Sequence, residues 1–600
     1  MKRRILWLVF SCLMALSLVL VSCAAAEVEE EEEVVTPGEE EVVTPEEEEV
    51  VAPPEGPQYG GLINFIIGGT QTDVFDPHHS SLMGPGTVLL YEPLLEVDWS
   101  KGPSGTNETP FDWTHPPDEI VIGCLLESWE RPDPQTFIGH IRKGVHFHRD
   151  SVANGRELTA EDIMYSSQRA NEYPQYAGYI SPDTPEEERT KWTIIDKYTY
   201  MTEAGEEQRP DPDWLTGLMW FKIIPLEAEQ IIEESGDLMD WTTVCGTGPY
   251  TVLDVVSASS VTYQRNPNYW QYDPLHPENR LPYVETIKGL VIEDESTALA
   301  ALRTGKIDRG GVSWEKVEGL RKTNPEILLR KVLPSGARVI FMRTDLEPFS
   351  DVKVRQALSL AIDQEAMARD FYRGEALLLT WPIQPTIEAI YTPLEKLPEN
   401  LRELFEYHPE KAKQLLAEAG YPDGLKTEVI VTAAASYVDV MSIVKEYFAD
   451  VGVDMEIRPL EAAVFGGTIY GRRFPAMAYT YWGNPKPAAA FGWAHGGVPE
   501  SVFAFSKVVN PAIEEKFDLW SNEPDRDERN RIIKEENLYE IEMCYEIPLP
   551  SPYGYLAWQP WLKGYSGEYC TGPTWELGIN GIYKYVWLDT EMRYKMTGRE

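Results

Sequence analysis

The residues that first invite chemistry are His140, His146 and His148, in the stretch FIGHIRKGVHFHRD. His146 and His148 stand two apart and share a face if the segment is a strand, a spacing compatible with metal ligation. No Cys or carboxylate completes a ligand set at suitable spacing, so all three read as structural histidines and no metal is expected. Cys124, Cys245, Cys544 and Cys570 are widely separated and form no CxxC pair, which argues against zinc. Disulfides Cys544–Cys570 and Cys124–Cys245 both stay open at this level. Adjacent acids such as Glu293 and Asp294 could act as a general acid and base, but with 98 Asp and Glu in the chain such pairs arise by chance. GxSxG, HExxH, SxxK followed by KTG, and GxxxxGK are all absent. These residues describe a chain that does no covalent chemistry and needs no cofactor.

The amino terminus carries a different kind of chemistry. Lys2, Arg3 and Arg4 precede an apolar run from Ile5 to Val21 that ends in small residues. That pattern is a secretory signal over 1–22, since the run is short for a membrane span. Leu20-Val21-Ser22-Cys23 fits the bacterial lipobox, in which the Cys is lipidated and becomes the new terminus. Acyl chains contribute about 0.8 kcal/mol per buried methylene, so a multiply acylated Cys23 would hold the chain firmly at a membrane. Residues 23–57 follow as a tether. From Ala24 to Pro57 there are fourteen Glu, no basic residue and several Pro, with EEEVVTP repeated. Such a segment repels itself and cannot bury enough apolar surface to fold. The expected location is the extracytoplasmic face of the cell envelope, lipid-anchored.

The formal net charge is −45, and the tether accounts for only fourteen of those negative charges. The body is therefore strongly acidic as well. Nucleic acid is excluded as a partner, and the acidity otherwise reads as a solvated surface.

Several stretches set out the elements of that body. In PFSDVKVRQALSLAIDQEAMARDFY (Pro348–Tyr372), Val354, Ala357, Leu358, Ala361 and Ile362 recur at helical spacing, with Ser350 or Asp351 as cap and Lys353, Arg355 and Gln356 off the stripe. Ala337–Thr344 before it reads as a strand. In CGTGPYTVLDVVSASSVTYQRNPNYW, Val252, Val255, Val261 and Tyr263 suggest paired strands, and Gly246 and Gly248 a turn that a side chain would obstruct. A strand is expected over Gly60–Ile67 and a helix near Thr87–Tyr91, before YEPLLEVD. Thr159 with Asp162 marks a helix start. Ala298, Leu299, Ala301 and Leu302 form the inward face of another helix. Leu425–Val431, Tyr437–Asp450 and Val453–Pro459 read as strand, helix and strand, a crossover with parallel pairing. The loops near 99–119, 171–190 and 203–213 read as surface insertions.

Taken in order, these stretches closely resemble family 5 extracellular solute-binding proteins, the dipeptide and oligopeptide receptors of ABC importers. The resemblance covers almost all of the body. It implies an α/β, two-lobed, periplasmic-binding-protein-like fold, with mixed sheets flanked by helices and the ligand cleft between the lobes. It implies a first lobe at 58–333 with an inserted subdomain at about 92–225, a second lobe at 334–540, and a return to the first lobe at 541–600. It also implies a monomer that captures a small solute by hinge closure and passes it to ABC permease subunits, the ATPase being another subunit. Peptide-binding members hold the peptide amino terminus with an Asp shortly after a Trp-containing strand. The matching stretch here, AMAYTYWGNPKPAAAFGWAHGG, has no Asp, nor is there any from Met455 to Phe517, and Asn484 stands nearest that position. The expected cleft residues are Tyr91, Arg338, Tyr481, Trp482, Asn484 and Trp493. The ligand is expected to be peptide-like, with an oligosaccharide or a metal chelate as the alternative.

Overall fold

Alternation in Leu62–Ile67 buries Ile63, Phe65 and Ile67 on one face and makes this strand the centre of a seven-stranded sheet. The structure, a computed structural model, describes residues 56–67, 72–78, 87–111, 116–133, 135–170, 190–205, 214–333, 336–482, 504–523, 525–569 and 581–599. All of them lie in one compact unit, Pro54–Glu600. The signal, Cys23 and almost all of the tether lie outside the described residues, as do 171–189 and 206–213 of the expected insertions.

Across the first sheet run Leu328–Val332, Gly554–Trp558, Arg309–Val312, Leu62–Ile67, Thr286–Val291, Ser260–Arg265 and Tyr250–Val256. The central strand is parallel to Thr286–Val291 and to Arg309–Val312, and the remaining ladders are antiparallel. The expected strand pair is present, with Val252 facing Tyr263 and Val255 facing Val261 across a register shift between Val252 and Asp254. An antiparallel four-stranded sheet of Leu126–Asp133, Thr136–Ile141, Thr199–Glu203 and Lys191–Asp196 packs Trp129, Phe137 and Trp192 onto the same core.

The second sheet has five strands in the order Val453–Leu460, Leu425–Thr432, Met477–Trp482, Ala337–Met342 and Glu546–Leu549. Leu425–Thr432 and Val453–Leu460 are parallel and joined by the helix Ala435–Asp450, as the strand–helix–strand pattern requires. Along Ala337–Met342 the side chains alternate between two cores. Ala337, Val339 and Phe341 pack with Trp381 and Phe505, while Ile340 and Met342 pack with Leu358, Val444 and Tyr479. The chain passes between the sheets after Val332 and again after Leu549. A return at 541 is thus too early, because Glu546–Leu549 is hydrogen-bonded to Ala337–Met342 within the second sheet.

Three local expectations need correction. The stretch read as one amphipathic helix is a helix over Val352–Leu360, a single turn at Gln364–Ala366 and a wider turn over Met367–Phe371. Asp351 caps the first piece by accepting from the Lys353 amide at 2.8 Å. Asp363 then recaps by accepting from the Ala366 amide at 2.8 Å, a local bond that competes with helix continuation. Arg355 is not on a solvated face, for it is 2% exposed. Within the insertion expected at the surface, Trp99 stacks on Tyr585 at 4.6 Å, Phe111 is fully buried, and Ser104 donates from N and Oγ to Glu568. That loop is part of the core.

The histidines divide. His146 is exposed, with Nδ1 3.0 Å from the Gly144 carbonyl. His148 is buried, its Nε2 bonded to the Gly248 carbonyl at 3.0 Å, and burial pushes its imidazole down to about 4. Among the described residues no group of three His, Cys, Asp or Glu could hold a metal ion. Cys124, Cys245 and Cys544 are buried free thiols, and Cys570 lies outside the described residues.

Candidate ligand-binding site

Both crossings between the sheets meet at Ser551. Its Oγ accepts from the Arg338 amide at 2.8 Å and lies 2.9 Å from the Thr380 hydroxyl. A two-residue ladder joins Ala376–Leu377 to Ser551–Pro552. Beside it, Glu375 takes Lys331 Nζ at 2.6 Å and the Tyr555 hydroxyl at 2.8 Å, both from strands of the first sheet or their ends. Burial raises the Glu375 carboxyl, but the Lys331 and Tyr555 bonds outweigh it and leave the pKa below the ordinary value. The junction is therefore tied by a partly buried charged group and not by apolar packing alone.

Arg338 follows the first crossing directly, and its side chain takes the face of Ile340 and Met342. There it meets tyrosines. Its guanidinium lies 4.5 Å from the Tyr437 ring centroid and 5.5 Å from that of Tyr481. Tyr437 in turn packs on Tyr479 at 5.6 Å. Tyr372 completes the group, its hydroxyl pushed up to about 12 by burial although Arg338 pulls the other way. From the first sheet, Trp314 sits just beyond Arg309–Val312 and meets Tyr372 edge-on at 5.8 Å. Its neighbour Ser313 has a buried hydroxyl with no hydrogen-bond partner among the described residues. Elements of both sheets thus converge on one aromatic, cationic corner.

Of the six residues expected to line the cleft, the structure brings Arg338 and Tyr481 together. Trp482 is adjacent to Tyr481 in the same strand and so points to the opposite face, where it packs on Phe505 at 4.9 Å. Tyr91 is fully buried in the core of the first sheet, where burial raises its hydroxyl pKa first of all and Cys245 lies close by. It is a packing residue there. Asn484 and Trp493 lie outside the described residues. Sequence reasoning missed Trp314, Tyr372 and Tyr437. Trp314 and Tyr437 stand in helices that directly follow strands (Trp314–Thr323 after Arg309–Val312, Ala435–Asp450 after Leu425–Thr432), the end of a sheet where ligands settle.

A two-sheet body with a polar, aromatic junction suits a receptor that encloses a solute, and comparison with known proteins decides the family. Residues 121–500 match the family described as "Bacterial extracellular solute-binding proteins, family 5 Middle". The chain belongs to that family. Family 5 proteins are substrate receptors of ABC importers for peptides and related solutes, not enzymes, and they work outside the cytoplasm with permease partners. Heme-binding protein A of Haemophilus influenzae is 26% identical over 482 residues, 74% of this chain and 81% of that protein. The periplasmic oligopeptide-binding protein OppA of the same organism is 26% identical over 396 residues, 61% of this chain and 65% of that one. Among solved structures, the periplasmic binding protein DppA of Helicobacter pylori, in complex with the peptide STSA, has a TM-score of 0.68 at 22% identity, covering 89% of this chain and 99% of that one. That likeness carries the two-lobed fold.

Proposed function

We propose that this family 5 receptor captures a short peptide or peptide-like solute between its lobes and hands it to an ABC permease. The carrying observation is the corner where Trp314, just beyond a strand of the first sheet, meets Tyr372 at 5.8 Å, close to Arg338 of the second sheet with the Tyr437 and Tyr481 rings beside it. A ligand touching both sides stabilises the closed form by its differential affinity for that form, and enclosure excludes water from the polar contacts. The lobes are taken as 58–333, with the inserted subdomain at about 92–225, then 334 to Leu549, and a return beyond that strand. The receptor works as a monomer.

Thermal unfolding of the body, starting near Gln58, tests this reading. A tri- to pentapeptide mixture should raise the melting temperature, while maltotriose and hemin leave it unchanged. At a hundredfold excess over Kd the gain is about 2.7 kcal/mol. A shift with maltotriose alone would replace the peptide by a sugar. The hemin arm addresses a second reading, a metal-chelate receptor, which draws support from the relative named for heme binding.

The same proposal places the chain at the membrane through lipidated Cys23, with residues 23–57 only setting its reach. The support is the complete signal and lipobox in the sequence. Cys23→Ser should move the protein from the membrane pellet to the soluble fraction. Retention of that variant in the pellet would count against the anchor.

A further inference from the structure

The arginines of the helix Arg526–Met543 divide by where they find partners. Arg531 pairs within the helix, forking onto Glu528 at 2.6 and 2.9 Å and donating to Glu535 one turn further on. Arg526 has Arg529 and Asn530 three and four residues ahead, so its own helix offers it no facing acid. It also stands in the first turn of an 18-residue helix, where the macrodipole opposes a cation. Asp525, Asp527 and Glu528 are what such a terminus favours, and Asp525 caps it by accepting from the Glu528 amide at 2.9 Å. Local rules leave Arg526 unexplained.

Its acids stand on the other lobe. Nη1 donates to Glu119, 407 residues earlier, and lies 4.0 Å from Asp118. Both acids belong to the short turn Asp118–Ile120, which leads into the strand Val121–Gly123. Ile120 is buried in the core of the first sheet, and its carbonyl accepts from the Asp98 amide at 2.8 Å. On the helix that carries Arg526, Ile541 packs in the core of the second sheet and Ile533 packs with Phe517 and Trp520. The pair thus joins well-packed elements of the two lobes, through residues that belong to neither crossing. The Arg526 bond holds the Glu119 carboxyl below its ordinary range, so both partners are charged at neutral pH.

An exposed ion pair contributes little to folding, since side-chain entropy and salt offset most of its attraction. An equilibrium between two arrangements of rigid lobes is more sensitive, because it shifts by the whole of any contact made in only one of them. At the worth of an exposed pair, the ratio of closed to open changes up to about fivefold. The solute feels that change, for its apparent affinity scales with the population of the form that holds it.

We propose that Arg526, with Glu119 and Asp118, forms a cross-lobe latch that holds the closed arrangement without touching the solute. The pair is made in the same arrangement that brings Trp314 to Tyr372 at 5.8 Å, and parting the lobes draws its two ends away from each other. Arg526 is then a positioning residue, which accounts for a cation where its own helix disfavours one. The latch goes beyond the receptor reading above and holds for a peptide, a sugar or a chelate alike.

The test follows the mature chain, residues 23–600, made without its signal and free of solute, by small-angle X-ray scattering. Spectra are taken at about 0.05 and about 1 M NaCl, the higher salt shortening the screening length to about 3 Å. Wild type, Glu119→Arg, Arg526→Glu and the double exchange form a cycle. At low salt each single reversal should expand the radius of gyration, the closed-to-open ratio falling about fivefold. The double exchange should return to the wild-type radius, a coupling that a loss of local packing does not produce. At the higher salt the four radii should converge. Where a reversal fails to fold, Glu119→Gln or Arg526→Gln takes its place in the cycle. Additive changes around the cycle overturn the latch, as does a coupling that survives the higher salt. Single reversals that contract the protein overturn it too, and so does a radius that no variant moves.

Discussion

Arg355→Met is expected to lower the unfolding free energy by about 3–5 kcal/mol, the cost of removing one partner from a buried charged network. The side chain sits on the helix Val352–Leu360 but reaches across to the end of another. Nε donates to the carbonyls of Met543 and Cys544 at 3.0 and 3.1 Å, and Nη2 to Met543 again at 2.8 Å. Nη1 donates to Phe349 and Ser350 at 2.7 and 3.2 Å. Met543 ends the helix Arg526–Met543, and Cys544 follows in the left-handed region at φ 45°, so the guanidinium meets the carbonyl-rich end that favours a cation. The next residues form Glu546–Leu549, the strand that closes the second sheet before the return crossing. Methionine fills much of the volume but strands these carbonyls where water enters poorly. Urea unfolding followed by tryptophan fluorescence measures the loss, and Arg355→Lys should recover only part of it because its ammonium lacks the planar fork. A loss below about 1 kcal/mol would show that the carbonyls find other partners.

Arg355 also shows where the sequence stops being readable. An amphipathic pattern sorts side chains by polarity, and on that criterion an Arg off the apolar stripe belongs in water. All its partners are backbone carbonyls, and those of Met543 and Cys544 lie 188 and 189 residues away, which leaves no mark in the pattern. Elements whose order depends on local alternation were legible. The crossover from Leu425 to Leu460 and the paired strands Tyr250–Val256 and Ser260–Arg265 stand where periodicity places them. The site was half legible. Adjacent residues of a strand face opposite sides, so Tyr481 and Trp482 could not both join Arg338, and that conflict was present in the sequence. Tyr91 is different, since nothing in a short helix followed by EPLL distinguishes a core tyrosine from one on a cleft wall. Tyr372 was reached by neither argument. It ends the piece after Asp363, and only the recapping there turns it toward Arg338 and Trp314.

Gly246→Ala is expected to cost about 4 kcal/mol or to prevent folding, a size reserved for clashes that the surroundings cannot absorb. A Cβ at this position would stand 1.9 Å from the Leu90 carbonyl oxygen and 2.7 Å from its carbon. Both are backbone atoms at the end of the helix Thr87–Leu90, and neither can swing away as a side-chain tip would. The approach is fixed from several directions. The Gly248 amide donates to the same Leu90 oxygen at 2.9 Å, and the His148 amide donates to the Gly246 carbonyl at 2.9 Å. The Gly248 carbonyl accepts from His148 Nε2 at 3.0 Å and from Asn266 Nδ2 at 3.1 Å. The segment is thus clamped between the helix and the buried histidine, and moving it breaks bonds on both sides. The requirement for glycine here is close contact and not a left-handed backbone. Gly236 supplies the contrast, having φ 93° at a helix end and no atom within 4 Å of where a Cβ would stand. Gly236→Ala should cost only about 1 kcal/mol, the price of a left-handed alanine. Urea midpoints of the two variants, measured side by side, separate contact from conformation. Equal losses in the two would mean that the Leu90 carbonyl yields, and that the clamp around Gly246 is softer than its hydrogen bonds imply.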